Sequence, residues 1–447
     1  MGFHRGVVLA GCLLLAATSF AQERSLEITF ESGNLGERWS AIRKITASRV
    51  PAPALTDQKG EDAPAGKALA IQSAANSGLF LKQGKGPSDW TTCGEVSFWA
   101  YRSPEEVAKH AASTIELQIY EADPGARFWR KTTLDHTGWK RISVPLKWFR
   151  WGSGRIPRWS KADRMGFWFR DETQLVLDTV RVSAGSEDRP AELSIEDLQS
   201  VAFPNASVDD ITVIDSAEVL LLSDASKLDA NKLVEHLAKV ATTVREELAL
   251  AKPAVKPVLI VFDTDAAYRE FPPRLGEKLN SMADPPKSGG YALHGIASAA
   301  WSDQWGSLRP VYTHEFVHGL LARSSGIPNK QEWFQEGVAN YYQIRFHPQD
   351  GLDKLILAGV RSPSGRSPLE ELCSGRPISG TRYWQALTVV DFLRRDPRYS
   401  KHFPEMITEM GEKGTTDLTP FLASWKTSWE DLTAQWMEHC RKTYEPN

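Results

Sequence analysis

Apolar and polar positions recur with two different periods along this chain, and the change of period divides it. From about Glu23 to Gly185 the period is two. Leu26-Glu27-Ile28-Thr29-Phe30, Val96-Ser97-Phe98-Trp99-Ala100, Ile115-Glu116-Leu117-Gln118-Ile119 and Gly166-Phe167-Trp168-Phe169 all carry it, which predicts strands with one face buried. The same reasoning places strands at 67–72, 78–82, 127–132, 139–144 and 175–182, many of them separated by Gly, Pro or Asp. The longest helical stretch in this half is 104–112. Many short strands with so little helix predict an all-β antiparallel sandwich of the jelly-roll kind.

The second half reads differently. Val219-Leu220-Leu221-Leu222 and Val258-Leu259-Ile260-Val261-Phe262 are short apolar runs, expected as buried strands. Between them, residues 224–250 carry Leu228, Leu233, Leu237, Val240, Val244 and Leu248 at helical spacing. After Glu336 the pattern is helical to the end. This predicts a mainly helical α+β domain. The stretch from Ser183 to Glu192 is polar and holds Gly and Pro, so it marks a boundary. A strand-like piece is expected near 201–214. The resulting division is a leader at 1–21, a sandwich at 22–185, a linker at 186–206 and the α+β domain at 207–447.

The chain has 447 residues and a net charge of −3, with no charge excess that would favour nucleic acid or an anionic membrane surface. Its first residues read as an export signal. Arg5 precedes an apolar run from Gly6 to Ala17, and Ser19-Phe20-Ala21 predicts cleavage before Gln22. Leu9-Ala10-Gly11-Cys12 resembles a lipoprotein box, but the apolar run continues past Cys12, so a removed signal peptide is favoured over a lipid anchor. No later stretch is apolar enough to span a membrane. A secreted or periplasmic protein is expected. Its mature form keeps Cys93, Cys373 and Cys440, read either as a Cys373–Cys440 bridge with one free thiol or as three unpaired buried thiols.

The candidate chemistry sits in Thr313-His314-Glu315-Phe316-Val317-His318-Gly319, an H-E-x-x-H pattern. On a helix, His314 and His318 share one face, so two imidazoles can grip one zinc ion, with Glu315 beside them and free to act as a base. Pro310 suits the first turn of that helix, and Gly326 with Pro328 reads as its end. A second helix follows, with Asn329 as its expected cap and Glu332 three residues on. It runs through Trp333-Phe334-Gln335-Glu336-Gly337-Val338-Ala339-Asn340-Tyr341. Glu336 is the candidate third ligand, since a short turn lets two such helices lie antiparallel.

These two motifs together resemble the gluzincin zinc peptidases, and within them the bacterial peptidase MA-like domains. The resemblance extends from about Ile211 to the C-terminus. It implies one Zn²⁺ held by His314, His318 and Glu336, Glu315 as general base, and hydrolysis of peptide bonds. Tyr383-Trp384-Gln385 resembles the family's downstream Y-x-Q helix, so Tyr383 either donates its hydroxyl to the developing oxyanion or packs its helix into the core. Asn340 either supports a ligand or faces solvent. Gly290-Tyr291-Ala292-Leu293 lies in the right order for the family's cleft-edge strand, where an extended peptide pairs, though a plain turn and strand fits it equally. His294 is expected to line the cleft or to serve structure; His347, His402 and His439 lack ligand spacing.

In the first half, Phe128-Trp129-Arg130-Lys131, Gly138-Trp139-Lys140-Arg141-Ile142-Ser143-Val144-Pro145-Leu146 and Leu177-Asp178-Thr179-Val180 resemble the galactose-binding-like jelly rolls. Nine of the 16 Trp fall between Trp39 and Trp168. Trp148, Trp151 and Trp159 sit in a Gly/Pro-containing loop, so they are candidates for stacking on a glycan; otherwise they fill the core or pack between domains. The expected partner is a peptide or protein substrate, with glycoprotein or cell-wall glycan as further candidates. Two other readings stay open: a zinc hydrolase of a non-peptide amide, and a glycan- or cell-surface-binding protein whose zinc site is structural or inactive.

Overall fold

The computed structural model describes residues 26–54, 63–87, 89–122, 126–151, 155–184, 191–279 and 283–445, with Arg150 and Trp151 described by their backbone only. The expected leader, its cleavage position and Cys12 lie outside the described residues.

The first half is two antiparallel sheets. One contains β1 (Leu26–Ile28), β3 (Ile45–Pro51), β4 (Lys67–Ser73), β6 (Cys93–Arg102), β9 (Gly138–Pro145) and β12 (Thr173–Ala184). Its order is β3-β4-β12-β6-β9, with β1 also paired to β12. The other contains β2 (Trp39–Ile42), β5 (Ser77–Leu81), β7 (Ser113–Glu121), β8 (Arg127–Leu134), β10 (Arg150–Trp151) and β11 (Ala162–Phe169). Its order is β10-β8-β7-β11-β5-β2. The inward residues of both sheets, among them Ile71, Phe98, Ile115, Leu117, Phe128, Phe167, Leu177 and Val180, form one core. Two short helices, α1 (Leu35–Arg38) and α2 (Pro104–Lys109), decorate the connections. The edge strand β3 escaped the periodicity reading because it is half-buried, with Arg49 and a terminal Pro in the pattern.

The second half is mainly helical around a five-stranded sheet of β13 (Thr212–Asp215), β14 (Leu220–Ser223), β15 (Val258–Phe262), β17 (Ile296–Ala300) and β16 (Gly290–Leu293), in that order. The three central strands are parallel, and both edges are antiparallel. Helices α4 (Ala230–Leu248) and α5 (Asp265–Lys278) join the parallel strands. α6 (Pro310–Ser325), α7 (Trp333–Phe346), α8 (Leu352–Arg361), α9 (Leu369–Leu372), α10 (Tyr383–Arg395), α11 (Phe403–Lys413), α12 (Thr419–Trp425) and α13 (Trp429–Tyr444) follow. β14 and β15 are fully buried, as continuous apolar runs require between covering layers.

Two expectations about the boundary need correction. The span 186–206 is not a plain linker: it holds α3 (Ile195–Ala202), started by a reciprocal Ser194–Asp197 capping box. Leu198, Val201 and Ala202 pack into a core shared with Phe262, Phe271 and Leu275. Two turns give too few apolar positions for a period to show. The strand expected near 201–214 is confined to β13. Cys93, Cys373 and Cys440 are all buried and free, so the Cys373–Cys440 bridge is not formed.

The two halves are in contact through the segment 155–161. Ile156 is buried, and Ala322 of α6 belongs to the sandwich core. Buried Glu121 holds Arg158 at 2.6 Å, and Lys161 reaches Glu412 of α11 at 2.7 Å. Arg323 of α6 pairs with Glu192 at 2.9 Å. Truncating Ile156 removes apolar contact from the interface between the halves. Ile156→Ala should therefore lower unfolding stability by about 2 kcal/mol, read from urea denaturation. An unchanged midpoint would mean the contact contributes nothing.

Candidate metal centre and its cleft

α6 begins at Pro310 and ends at Gly326, whose φ of +76° is the left-handed conformation that closes a helix. Ile327-Pro328 then turns the chain, and α7 returns against α6. Its N-cap is Glu332, not the expected Asn329: the Glu332 carboxylate accepts from Phe334 N and Gln335 N. Asn329 instead caps a local turn by accepting from Gln331 N.

This return brings Glu336 to the histidine pair. His314 Nε2 lies 3.1 Å from His318 Nε2 and 3.4 Å from Glu336 Oε2, while His318 Nε2 lies 3.7 Å from Glu336 Oε1. One ligand atom from each of the three lies within 4.8 Å of the others, and all three residues are buried. It is the group of His, Cys, Asp or Glu that could hold a metal ion among the described residues.

Proton placement explains the arrangement. Burial pushes His318 down to about 4, so this imidazole is neutral. Its Nδ1 stands 3.0 Å from Gln335 Oε1, and the Gln335 amide is oriented by donating to Ile327 O. Nδ1 is thus the donor, and Nε2 keeps its lone pair for the centre. Burial also opposes charge on His314, but the Glu336 and Glu315 carboxylates outweigh it and raise its pKa. Burial acts against the Glu336 carboxylate too, yet the two imidazoles hold its pKa below the ordinary value. His314 therefore donates across the short Nε2–Nε2 contact. Groups with lone pairs aimed inward thus converge here, as the ligands of a divalent cation do. Glu336 Oε2, buried and accepting no hydrogen bond, is the remaining acceptor. Two neutral imidazole nitrogens and a carboxylate are a donor set that fits zinc.

Glu315 lies in the same cleft, which has a volume of about 360 Å³ and is also lined by Ser288, Tyr291, His294, Lys330 and Tyr383. Burial, set against the attraction of His314, raises Glu315 to about 7. Gly290 makes its position feasible: a Cβ there would stand 2.6 Å from Glu315 Cγ. β16 therefore runs directly past the carboxylate, with its outer edge unpaired in the sheet order. Tyr383, the first residue of α10, stacks on His314 with ring centroids 6.5 Å apart. Asn340 donates to the backbone carbonyl of Glu336, so it steadies α7 locally and does not touch the carboxylate.

Two of the three glycan candidates take the alternative placement, in the core or against the second half. Trp159 is buried in the sandwich core, against Phe128 and Phe149. Trp148 packs against the core of the second half. The side chain of Trp151 lies outside the described residues. Gln335 went unnoticed in the sequence, because a residue next to a ligand on a helix points about 100° away and carries no periodic signal. His347 is half-buried and shares the Thr313 hydroxyl with His236.

No family model matches the chain, and no curated protein matches it. Among solved structures it is similar to the family 11 carbohydrate-binding module from Clostridium thermocellum in complex with a β-1,3-1,4-mixed-linked tetrasaccharide, at 17% identity. That match covers 36% of this chain and 97% of that one, with a TM-score of 0.26. It is also similar to a xylan-binding domain from CBM 22, at 14% identity over 36% of this chain and 95% of that one, TM-score 0.26.

Removing the amide that orients His318 should weaken metal binding without unfolding the helix pair. Gln335→Ala is expected to lower zinc affinity about tenfold to a hundredfold, measured by competition with a chromophoric chelator. Unchanged affinity would show that His318 is held without it.

Proposed function

We propose that this chain is an exported zinc-dependent peptidase of the gluzincin kind. One observation carries the reading. His314, His318 and Glu336 converge in a cleft that also holds Glu315 and an unpaired edge strand. Bound there, a zinc ion supplies Lewis acidity, which polarises a carbonyl and makes water a better nucleophile near neutral pH.

The chain's own residues do the rest. The peptide backbone pairs with β16, which aligns its carbonyl beside Glu315. Glu315 takes a proton from the attacking water as the new C–O bond forms. It returns that proton to the amine nitrogen as the C–N bond breaks, so no other acid is required. The Tyr383 hydroxyl donates to the carbonyl oxygen as charge builds on it. Packing of α6, α7 and β16 keeps these groups fixed, so little reorganisation accompanies the reaction.

Glu315→Gln separates this reading from a binding protein with a structural zinc site. The variant should keep zinc at wild-type stoichiometry by metal analysis and lose at least about a hundredfold in peptide turnover. Turnover at the wild-type rate would remove Glu315 from the mechanism.

A second reading concerns the sandwich. Across the outer face of its first sheet, Thr46, Ser48, Gln72, Tyr101 and Gln174 line a groove of about 300 Å³. Tyr101 rests on Trp139 with ring centroids 5.5 Å apart. A half-buried aromatic face ringed by hydroxyls and amides is the chemistry that holds a sugar, so we assign glycan binding to this groove. Tyr101→Ala should abolish retention on whichever glycan of a panel binds the full chain. Equal retention by both proteins would place binding elsewhere.

A further inference from the structure

The cleft strand β16 ends in the two-residue turn His294-Gly295, both residues at positive φ, which is the tight hairpin geometry. Across such a hairpin the flanking residues, Leu293 and Ile296, exchange backbone hydrogen bonds, and so does the next alternate pair, Tyr291 and Ser298. Gly290 and Ala292 therefore turn their N–H and C=O groups away from β17, toward the open edge. Side chains already hold both of these carbonyls. The Ser288 hydroxyl donates to Gly290 O. Asn329 Nδ2, from the turn between α6 and α7, donates to Ala292 O at 3.4 Å. Ser288 and Asn329 also line the metal cleft.

The local backbone prepares the Asn329 contact. Asn329 Oδ1 accepts from Gln331 N at 3.2 Å, which orients the amide so that Nδ2 faces β16. Gln331 has a φ of +56°, a left-handed conformation that is costly for a residue with a side chain. Ile378 N, donating to Gln331 O at 2.8 Å, holds it there. An antiparallel strand laid along β16 would exchange two hydrogen bonds with Ala292, one through its N–H and one through its C=O. While Asn329 occupies the carbonyl, that strand can form only one of them. We propose that Asn329 is a latch on the cleft strand, standing in for substrate backbone until an extended peptide displaces it at Ala292. The latch covers an edge that would otherwise pair with any exposed strand. This rests on the peptidase reading and adds a selection to it. Favoured substrates are extended segments whose backbone N–H replaces the amide, and proline at that position is disfavoured.

Binding can be measured without turnover. The zinc-loaded Glu315→Gln chain would be titrated calorimetrically with a panel of blocked, uncharged hexapeptides. Asn329→Asp, added to that chain, keeps the acceptor for Gln331 N and removes the donor to Ala292 O. Asn329→Ala, added instead, excludes an effect of the new charge. Both variants should bind the best peptide about threefold to tenfold tighter. The gain should vanish for the member of a singly N-methylated series that lacks the N–H opposite Ala292. A gain missing from either variant, or one shared by every N-methylated peptide, would overturn the proposal. Digestion by the wild-type chain separates the two ideas. Cleavage of peptides whose affinity ignores Asn329 keeps the peptidase reading and removes the latch. The expected gain without any cleavage leaves the latch and removes the peptidase reading. No binding by any of the three chains sinks both.

Discussion

Two imidazoles and a carboxylate buried within a few ångströms of one another are the constraint on which the second half depends. Burial in a low-dielectric interior disfavours any uncompensated charge among them, so the group is stable only with a positive charge at its centre. A divalent cation held by all three would supply that charge. Holding the three residues together requires α6 and α7 to approach closely after a very short turn. Gly326 supplies the left-handed residue for that turn, and Glu332 caps the returning helix.

That requirement spreads through the surrounding packing. α10 lies against α7 at Gly337, where a Cβ would stand 2.6 Å from Ala386 O. This close approach carries Tyr383 to the face of His314. On the other side β16 passes Glu315 so closely that Gly290 admits no side chain. The groups that would do chemistry thus come from one helix pair, one edge strand and one helix start. The sandwich joins the same frame, since Ile156 and Arg323 both abut the Gly295 turn between β16 and β17. The first half of the chain therefore buttresses the turn that ends the cleft strand.

Legibility in the sequence followed interaction range. Strands β6, β7 and β11 were visible because apolar residues recur at every second position of their sequence, although β6 and β7 are buried on both faces, and α4 because seven of its residues face one core. The H-E-x-x-H spacing was visible because residues four apart on a helix are neighbours whatever surrounds them. Helix α3 and the half-buried edge strand β3 were not, since short or partly exposed elements owe their form to distant partners. Gln335 and the true cap Glu332 were hidden for the same reason: their roles exist only once α7 has docked. The tryptophans mark the limit most clearly. Composition showed an aromatic-rich loop but could not say whether the rings faced solvent, and packing turned Trp159 inward and Trp148 toward the second half.

By itself the sequence determined the two periods, the division into a strand-rich and a helix-rich half, and a pair of imidazoles on one helical face. These are consequences of local geometry, repeated every two or every 3.6 residues. The sequence also named Glu336 as their partner; tertiary structure alone decided that Gln335 stands against His318 and that an uncharged groove opens behind Tyr383. Each depends on contacts between segments far apart in the chain, whose free energy is fixed by mutual burial and not by any residue's own preference.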